Sequence, residues 1–150
     1  MISEKAQFHT FNGNISAKDS QLTPSMEDYL EMIYRILRTE KVVRIHKLAE
    51  NLNVKASSAS KMVAGLTNLG YLYYEKYGYV CLSDDGIEMG EYLLKRHSVL
   101  NRLLCYINKS DDELEQVEKI EHFFNRKTVE NINVLLNQLE GNSSETSENK

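Results

Sequence analysis

Two short apolar patterns separated by only three residues, followed at once by two aromatic runs that meet at a glycine, constrain this chain more than any other feature. Residues 45–52 carry Ile45, Leu48, Ala49 and Leu52 at helical spacing, and the stretch from residue 56 carries Ala59, Met62, Val63 and Leu66 in the same way. Between them lie only Asn53, Val54 and Lys55. A joint that short makes the helices cross, with Leu48, Ala49 and Leu52 facing Val54, Met62, Val63 and Leu66. The small side chain of Ala49 lets them approach closely, as in a helix-turn-helix. Residues 71–77 (YLYYEKY) and 79–83 (YVCLS) flank Gly78 and read as a β-hairpin. A hairpin directly after a helix-turn-helix makes a wing.

Local signals place the remaining elements. Thr23 can cap a helix whose first position holds the only proline, Pro24, and whose stripe of Tyr29, Ile33, Ile36 and Leu37 ends near residue 37. Ser83-Asp84-Asp85 caps a long helix to about Ile107, and Ser110-Asp111-Asp112-Glu113 is a capping box that opens another. A last helix from Thr128 has Val129, Ile132, Leu135, Leu136 and Leu139 on its apolar face. These later pieces are too short to enclose a core of their own, so they pack on each other and on a second copy of the chain. The expected fold is mainly α with a small β-hairpin: a winged helix-turn-helix domain over 23–96, then a helical dimerisation domain over 97–140. Residues 1–22 lack a sustained period and residues 141–150 are polar and repetitive, so both ends read as disordered.

A formal charge of −4 argues against a nucleic-acid partner until its distribution is considered. Residues 44–80 hold five bases (Arg44, Lys47, Lys55, Lys61, Lys76) against two acids (Glu50, Glu75), whereas residues 111–140 hold eight acids against three bases. A basic segment followed by an acidic one fits a division between a polyanion partner and a cation partner, and fits chance variation equally well. Cys81 and Cys105 have no CxxC spacing, and neither a signal peptide nor a run of 18 apolar residues is present, which points to the cytoplasm and to inert thiols.

Within a helix-turn-helix, Ser57, Ser58, Ser60 and Lys61 near the start of the second helix, with Lys55 before it, suit contacts to phosphates and base edges. Lys76 and Tyr77 near the wing tip can reach the flanking backbone. Three further clusters are of metal-ligand type: Asp28 and Glu31, three apart on the first helix; Glu118, Glu121 and His122 at i, i+3 and i+4; and His97 on the long helix between them. Helix-dipole acids, a solvated acidic face and core histidines account for the same pattern. Both histidines border apolar runs, however, and histidines beside unpaired carboxylates invite a cation.

Thr23-Pro24-Ser25-Met26-Glu27-Asp28-Tyr29-Leu30-Glu31, Ser57-Ser58-Ala59-Ser60-Lys61-Met62-Val63, Tyr74-Glu75-Lys76-Tyr77, Arg96-His97 and Val117-Glu118-Lys119-Ile120-Glu121-His122 together resemble the manganese transport regulators of the diphtheria toxin repressor family. The resemblance covers about residues 23–140 with the motifs in the same order. It implies a metal-dependent repressor of metal uptake genes whose helical domain both dimerises and binds metal. Asp28, Glu31, His97, Glu118, Glu121 and His122 are the implied ligands of Mn²⁺, with two ions per subunit, and Fe²⁺, Co²⁺ and Zn²⁺ are the competing ions. Double-stranded DNA with an imperfect palindromic operator, and a second copy of the chain, are the implied partners; no membrane is involved. The chain departs from the family in its N-terminal extension, in a short C-terminus and in lacking the SH3-like domain of the iron-sensing branch. The competing reading is a metal-independent winged-helix regulator. A metallohydrolase is disfavoured, because no nucleophile motif or phosphate-cradling glycine loop accompanies the cluster.

Overall fold

The structure is a computed structural model that describes residues 21–75 and 78–145. Helix α1 (Pro24–Leu37) starts where expected: the Thr23 hydroxyl accepts the Met26 N–H at 3.2 Å, and Pro24 occupies a position whose missing N–H costs nothing. Helices α2 (Ile45–Leu52) and α3 (Ala56–Asn68) are joined through Asn53, which takes a left-handed conformation with φ of 53°. The Val54 N–H then donates to the Ala49 carbonyl at 3.0 Å, so the joint satisfies the end of α2 as it turns the chain. Val54 itself is 37% exposed rather than enclosed between the two helices, because the turn carries its side chain outward.

Strands β2 (Leu72–Glu75) and β3 (Tyr79–Leu82) form the expected antiparallel hairpin, with Leu72 opposite Leu82 and Glu75 opposite Tyr79. A third strand, β1 (Val43–Arg44), adds to the other edge of β3 and pairs Val43 with Val80, so the sheet order is β1-β3-β2. Two residues are too few for a period of two to show, and this strand was not expected. Leu30, Ile33, Leu48, Val63, Leu66 and Val80 are fully buried between α1, α2, α3 and the sheet. Fully burying each such side chain contributes about 1.5–3 kcal/mol.

Helix α4 (Asp84–Asn108) is capped by Ser83, whose hydroxyl accepts the Gly86 N–H at 3.1 Å and donates to the Gly70 carbonyl. Its first half adds Met89 and Leu93 to the winged-helix core, and Gly90 lets it press on α1: a Cβ there would lie 2.5 Å from the Tyr34 ring. Its second half presents Val99 to α6 (Arg126–Glu145), where Val129 and Leu136 complete a small second cluster. One helix thus serves both units, and the expected boundary at 96/97 falls inside it.

Helix α5 (Leu114–Ile120) begins after Glu113, so Ser110 caps no helix. Its hydroxyl donates instead to the Glu113 carboxylate at 2.6 Å, and the Leu114 N–H is taken by Asp112. A single 3₁₀ turn, Glu121–Phe123, follows α5. Helix α6 starts two residues before Thr128 and continues through 141–145, where the polar composition read as an unstructured tail. Among the described residues no helix is long and apolar enough to cross a membrane.

Candidate metal centre and nucleic-acid interface

The amphipathic pattern of α1 buries Leu30 and Ile33 and leaves Asp28 and Glu31 on the side that meets the acidic turn after α5. There, one donor atom each from Asp28, Glu121 and His122 lies within 4.8 Å of the others. His122 Nε2 is 3.2 Å from Asp28 Oδ1, and His97 Nδ1, arriving from α4, is 2.9 Å from Glu121 Oε2. Glu121 is buried at 5% exposure, a costly position for a carboxylate whose partners are an imidazole and other acids. Glu31 stands close enough to Glu121 and His97 to feel both charges, and its outer oxygen pairs with Arg35 at 3.6 Å.

Of the six expected ligand-type residues, Asp28, Glu121 and His122 meet within 4.8 Å, His97 touches Glu121, Glu31 lies near enough to feel the charge of Glu121, and Glu118 stands outside the cluster. The expected spacing of Glu118, Glu121 and His122 along one helix fails because α5 ends at Ile120 and the chain tightens into the 3₁₀ turn. The change of pitch leaves Glu118 exposed on α5, outside the cluster. Burial pushes the carboxyl of Asp28 above its ordinary value; His122 pulls it down, while the charges of Glu121 and Glu27 push it further up. Burial likewise raises Glu31, against the downward pull of Arg35. Carboxylates crowded in this way gain from a divalent cation, and a set of hard oxygens with imidazole nitrogen suits a first-row ion of Mn²⁺ type. The residues thus fit a metal ion.

Two residues of this region were not anticipated as a pair. Arg96, 4% exposed, forms an ion pair with Glu27, whose side chain is 15% exposed, and its Nε has no partner among the described residues. The signal was available: Arg96 occupies a stripe position between Leu93 and Leu100, where a cation requires a buried partner.

On the other side of the winged helix, Ser57, Ser58, Ser60 and Lys61 are exposed along α3 while Ala59, Val63 and Leu66 are buried beneath them. Lys55, also exposed, stands at the N-cap with no side-chain cap bond, and no acid occupies the first turn. The helix start is left open to an anion. Arg44, on β1, stacks on the Tyr79 ring at 4.7 Å and donates to its hydroxyl at 3.1 Å. Lys76 and Tyr77 lie outside the described residues.

Residues 21–80 match the family model of the iron dependent repressor, N-terminal DNA binding domain. The HTH-type transcriptional regulator MntR of Oceanobacillus iheyensis is 38% identical over 123 residues, 81% of this chain and 84% of that one. That of Listeria welshimeri is 40% identical over 111 residues, 73% of this chain and 78% of that one. This chain belongs to the MntR family. The manganese regulator SloR has a similar structure, with a TM-score of 0.66 at 26% identity, over 77% of this chain and 55% of that one. The chain thus spans about half the length of SloR. Membership of the MntR family agrees with the winged helix, the helical part behind it and the acid–histidine cluster between the two.

Proposed function

We propose that the chain is a Mn²⁺-activated transcriptional repressor of metal uptake genes, acting in the cytoplasm as a homodimer on an imperfect palindromic operator. The observation that carries this reading is the meeting, within 4.8 Å, of Asp28 from the first helix of the DNA-binding unit with Glu121 and His122 from the helical part. An ion gripped by both parts favours whichever arrangement of them brings its ligands together, so metal affinity converts into a preferred setting of the recognition helices. The proposed ligands are Asp28, Glu31, His97, Glu118, Glu121 and His122, with two ions per subunit sharing carboxylates. Glu118, exposed on α5 one turn before Glu121, is supported as a ligand by the family resemblance alone.

Four carboxylates and two imidazoles favour Mn²⁺ by donor type, with Fe²⁺ and Co²⁺ as weaker activators. Zn²⁺ binds such donors more tightly but prefers four tetrahedral ligands, so it can occupy the centre without gathering all six. Ser57, Ser58, Ser60, Lys61 and Lys55 face DNA, and Lys76 and Tyr77 are proposed to reach the backbone from the wing. The relatives named above are themselves an MntR regulator from each of two organisms and a manganese regulator.

The test is a fluorescence anisotropy titration of the protein against a duplex of its own upstream region, in chelated buffer and with Mn²⁺. Tight binding only with Mn²⁺ is expected. Equal affinity in the two buffers would make the chain a metal-independent winged-helix regulator.

A further inference from the structure

Neither the fold nor the proposed ligand set accounts for the part-buried Glu27–Arg96 pair. It links α1 to α4, residues 69 apart in sequence, and it meets His122 from the opposite side to Asp28. Arg96 Nη2 and Glu27 Oε2 each lie 3.4 Å from His122 Nδ1, while Nε2 faces Asp28 Oδ1 at 3.2 Å. The ring is therefore shared between two neighbours that require opposite things of it. A guanidinium has only donors, so Arg96 favours a bare Nδ1 and puts the ring proton on Nε2. A carboxylate only accepts, so Glu27 favours Nδ1–H and leaves the lone pair on Nε2. A nitrogen that ligates a metal must present its lone pair, and the partner of the other nitrogen decides which one does.

We propose that Glu27 is a positioning residue of the metal centre: its carboxylate, anchored by Arg96, accepts the His122 Nδ1–H and so makes Nε2 the nitrogen offered beside Asp28. Glu27 and Asp28 are consecutive on α1, yet they address the two nitrogens of one ring. The first turn of the DNA-binding unit thereby supplies both a ligand and the group that orients its neighbour. This inference rests on the metal reading above, but it concerns a residue outside that ligand set. A purely structural tie between α1 and α4 would not dictate which ring nitrogen binds.

The experiment combines ring-nitrogen NMR with metal titration. In wild-type protein loaded with ¹¹³Cd²⁺ as a diamagnetic probe, the coupling to cadmium is expected at His122 Nε2, with Nδ1 protonated. Glu27→Asp keeps the charge but draws back by one methylene the single oxygen that meets both Arg96 and the ring. Its Mn²⁺ affinity is expected to fall about 10- to 100-fold, the usual loss when an outer-shell partner is removed, with the circular dichroism of the wild type retained. Coupling through Nδ1, or an unprotonated Nδ1 in the loaded wild type, overturns the proposal even if the variant fails to fold. So does a folded Glu27→Asp with wild-type affinity. A wild type that binds neither Cd²⁺ nor Mn²⁺ overturns the metal reading itself, and the inference falls with it.

Discussion

The two halves of α4 lie in different surroundings. The first closes a core in which Leu30, Ile33, Leu48, Leu66 and Val80 are at 0% exposure. The second meets α6 around Val99, Val129 and Leu136, while Tyr106, Ile107, Leu114, Val134 and Leu135 remain 41–60% exposed. The winged helix encloses a core of its own, although Val54, Tyr73 and Tyr74 stay 37–45% exposed; the helical part is a sheath of helices around half of one long helix. Its stability comes from α4, from polar ties such as Arg102 to Asn133, Asn137 and Glu140, and, in the homodimer proposed above, from a second copy.

The sharpest way to break that comparison is to hollow out each core. Leu30→Ala is expected to cost about 2–5 kcal/mol, the usual range for a buried leucine in a packed core. Leu136→Ala in the smaller cluster is expected near or below the bottom of that range, because fewer neighbours surround it and they can relax inward. Urea unfolding followed by circular dichroism measures both. A larger loss at Leu136 than at Leu30 would show that the helical part is the better-packed unit.

The exposed face gives the next largest effect. Val134 and Leu135 are 54% and 49% exposed on α6, so Val134→Glu with Leu135→Glu should leave the isolated fold intact. If a second copy covers this face, the double variant sediments as a monomer and binds operator about 100-fold more weakly, or about 2.8 kcal/mol. A dimer by sedimentation velocity would move the interface elsewhere. Between the two units, Glu121→Gln removes a charge from the buried centre without changing its shape. Operator affinity at limiting Mn²⁺ should fall by about tenfold or more, with little change in chelated buffer. Equal binding by the variant and the wild type would remove the coupling.

What could be read in advance divides along the same line. Helices α1 and α4 were legible because their starts are decided within three residues, by Thr23 with Met26 and by Ser83 with Gly86. The crossing of α2 and α3 was legible because a three-residue joint leaves few alternatives. Strand β1 was not, since two residues carry no period and pair with a strand 37 positions away at Val80. The start of α5 was misplaced because Ser110 found the Glu113 side chain before it found a backbone N–H. At the candidate centre, residue types and spacing picked out Asp28, Glu121 and His122, which the fold brings within 4.8 Å of one another, and His97, which touches Glu121. The orientation of Glu118 was not legible, because it depends on where α5 gives way to a tighter turn. The Glu27–Arg96 pair was half legible: Arg96 on an apolar stripe asks for a partner, but nothing local names Glu27, 69 residues away, until the fold joins them.

The smallest expected effect concerns the cost of keeping the centre ready for an ion. Burial raises the carboxyl of Glu31 in the folded chain, so between its ordinary value and the raised one the folded state holds more protons than the unfolded state. Its contribution to metal-free stability is therefore full below the ordinary value and is lost as pH rises through the raised one. Glu113, in the polar corner between α4 and α5, has the opposite sign. Hydrogen bonds from Ser110 and Asn108 lower it, so its contribution is present above its ordinary value and is lost as pH falls through the lowered one. At neutral pH, Glu31→Gln should thus raise the Tm of the metal-free protein, by about 2–4 °C for each kcal/mol released in a chain of this size. The exposed Arg35 contact given up in exchange is worth little. Glu113→Gln should lower the Tm, and the gain from Glu31→Gln should vanish at acid pH. Mn²⁺ must reverse the ranking at residue 31, because the ion needs the ionised carboxylate that the empty fold resists. Differential scanning calorimetry with and without Mn²⁺ measures these shifts, and a metal-free Glu31→Gln less stable than wild type at neutral pH would make Glu31 a structural acid.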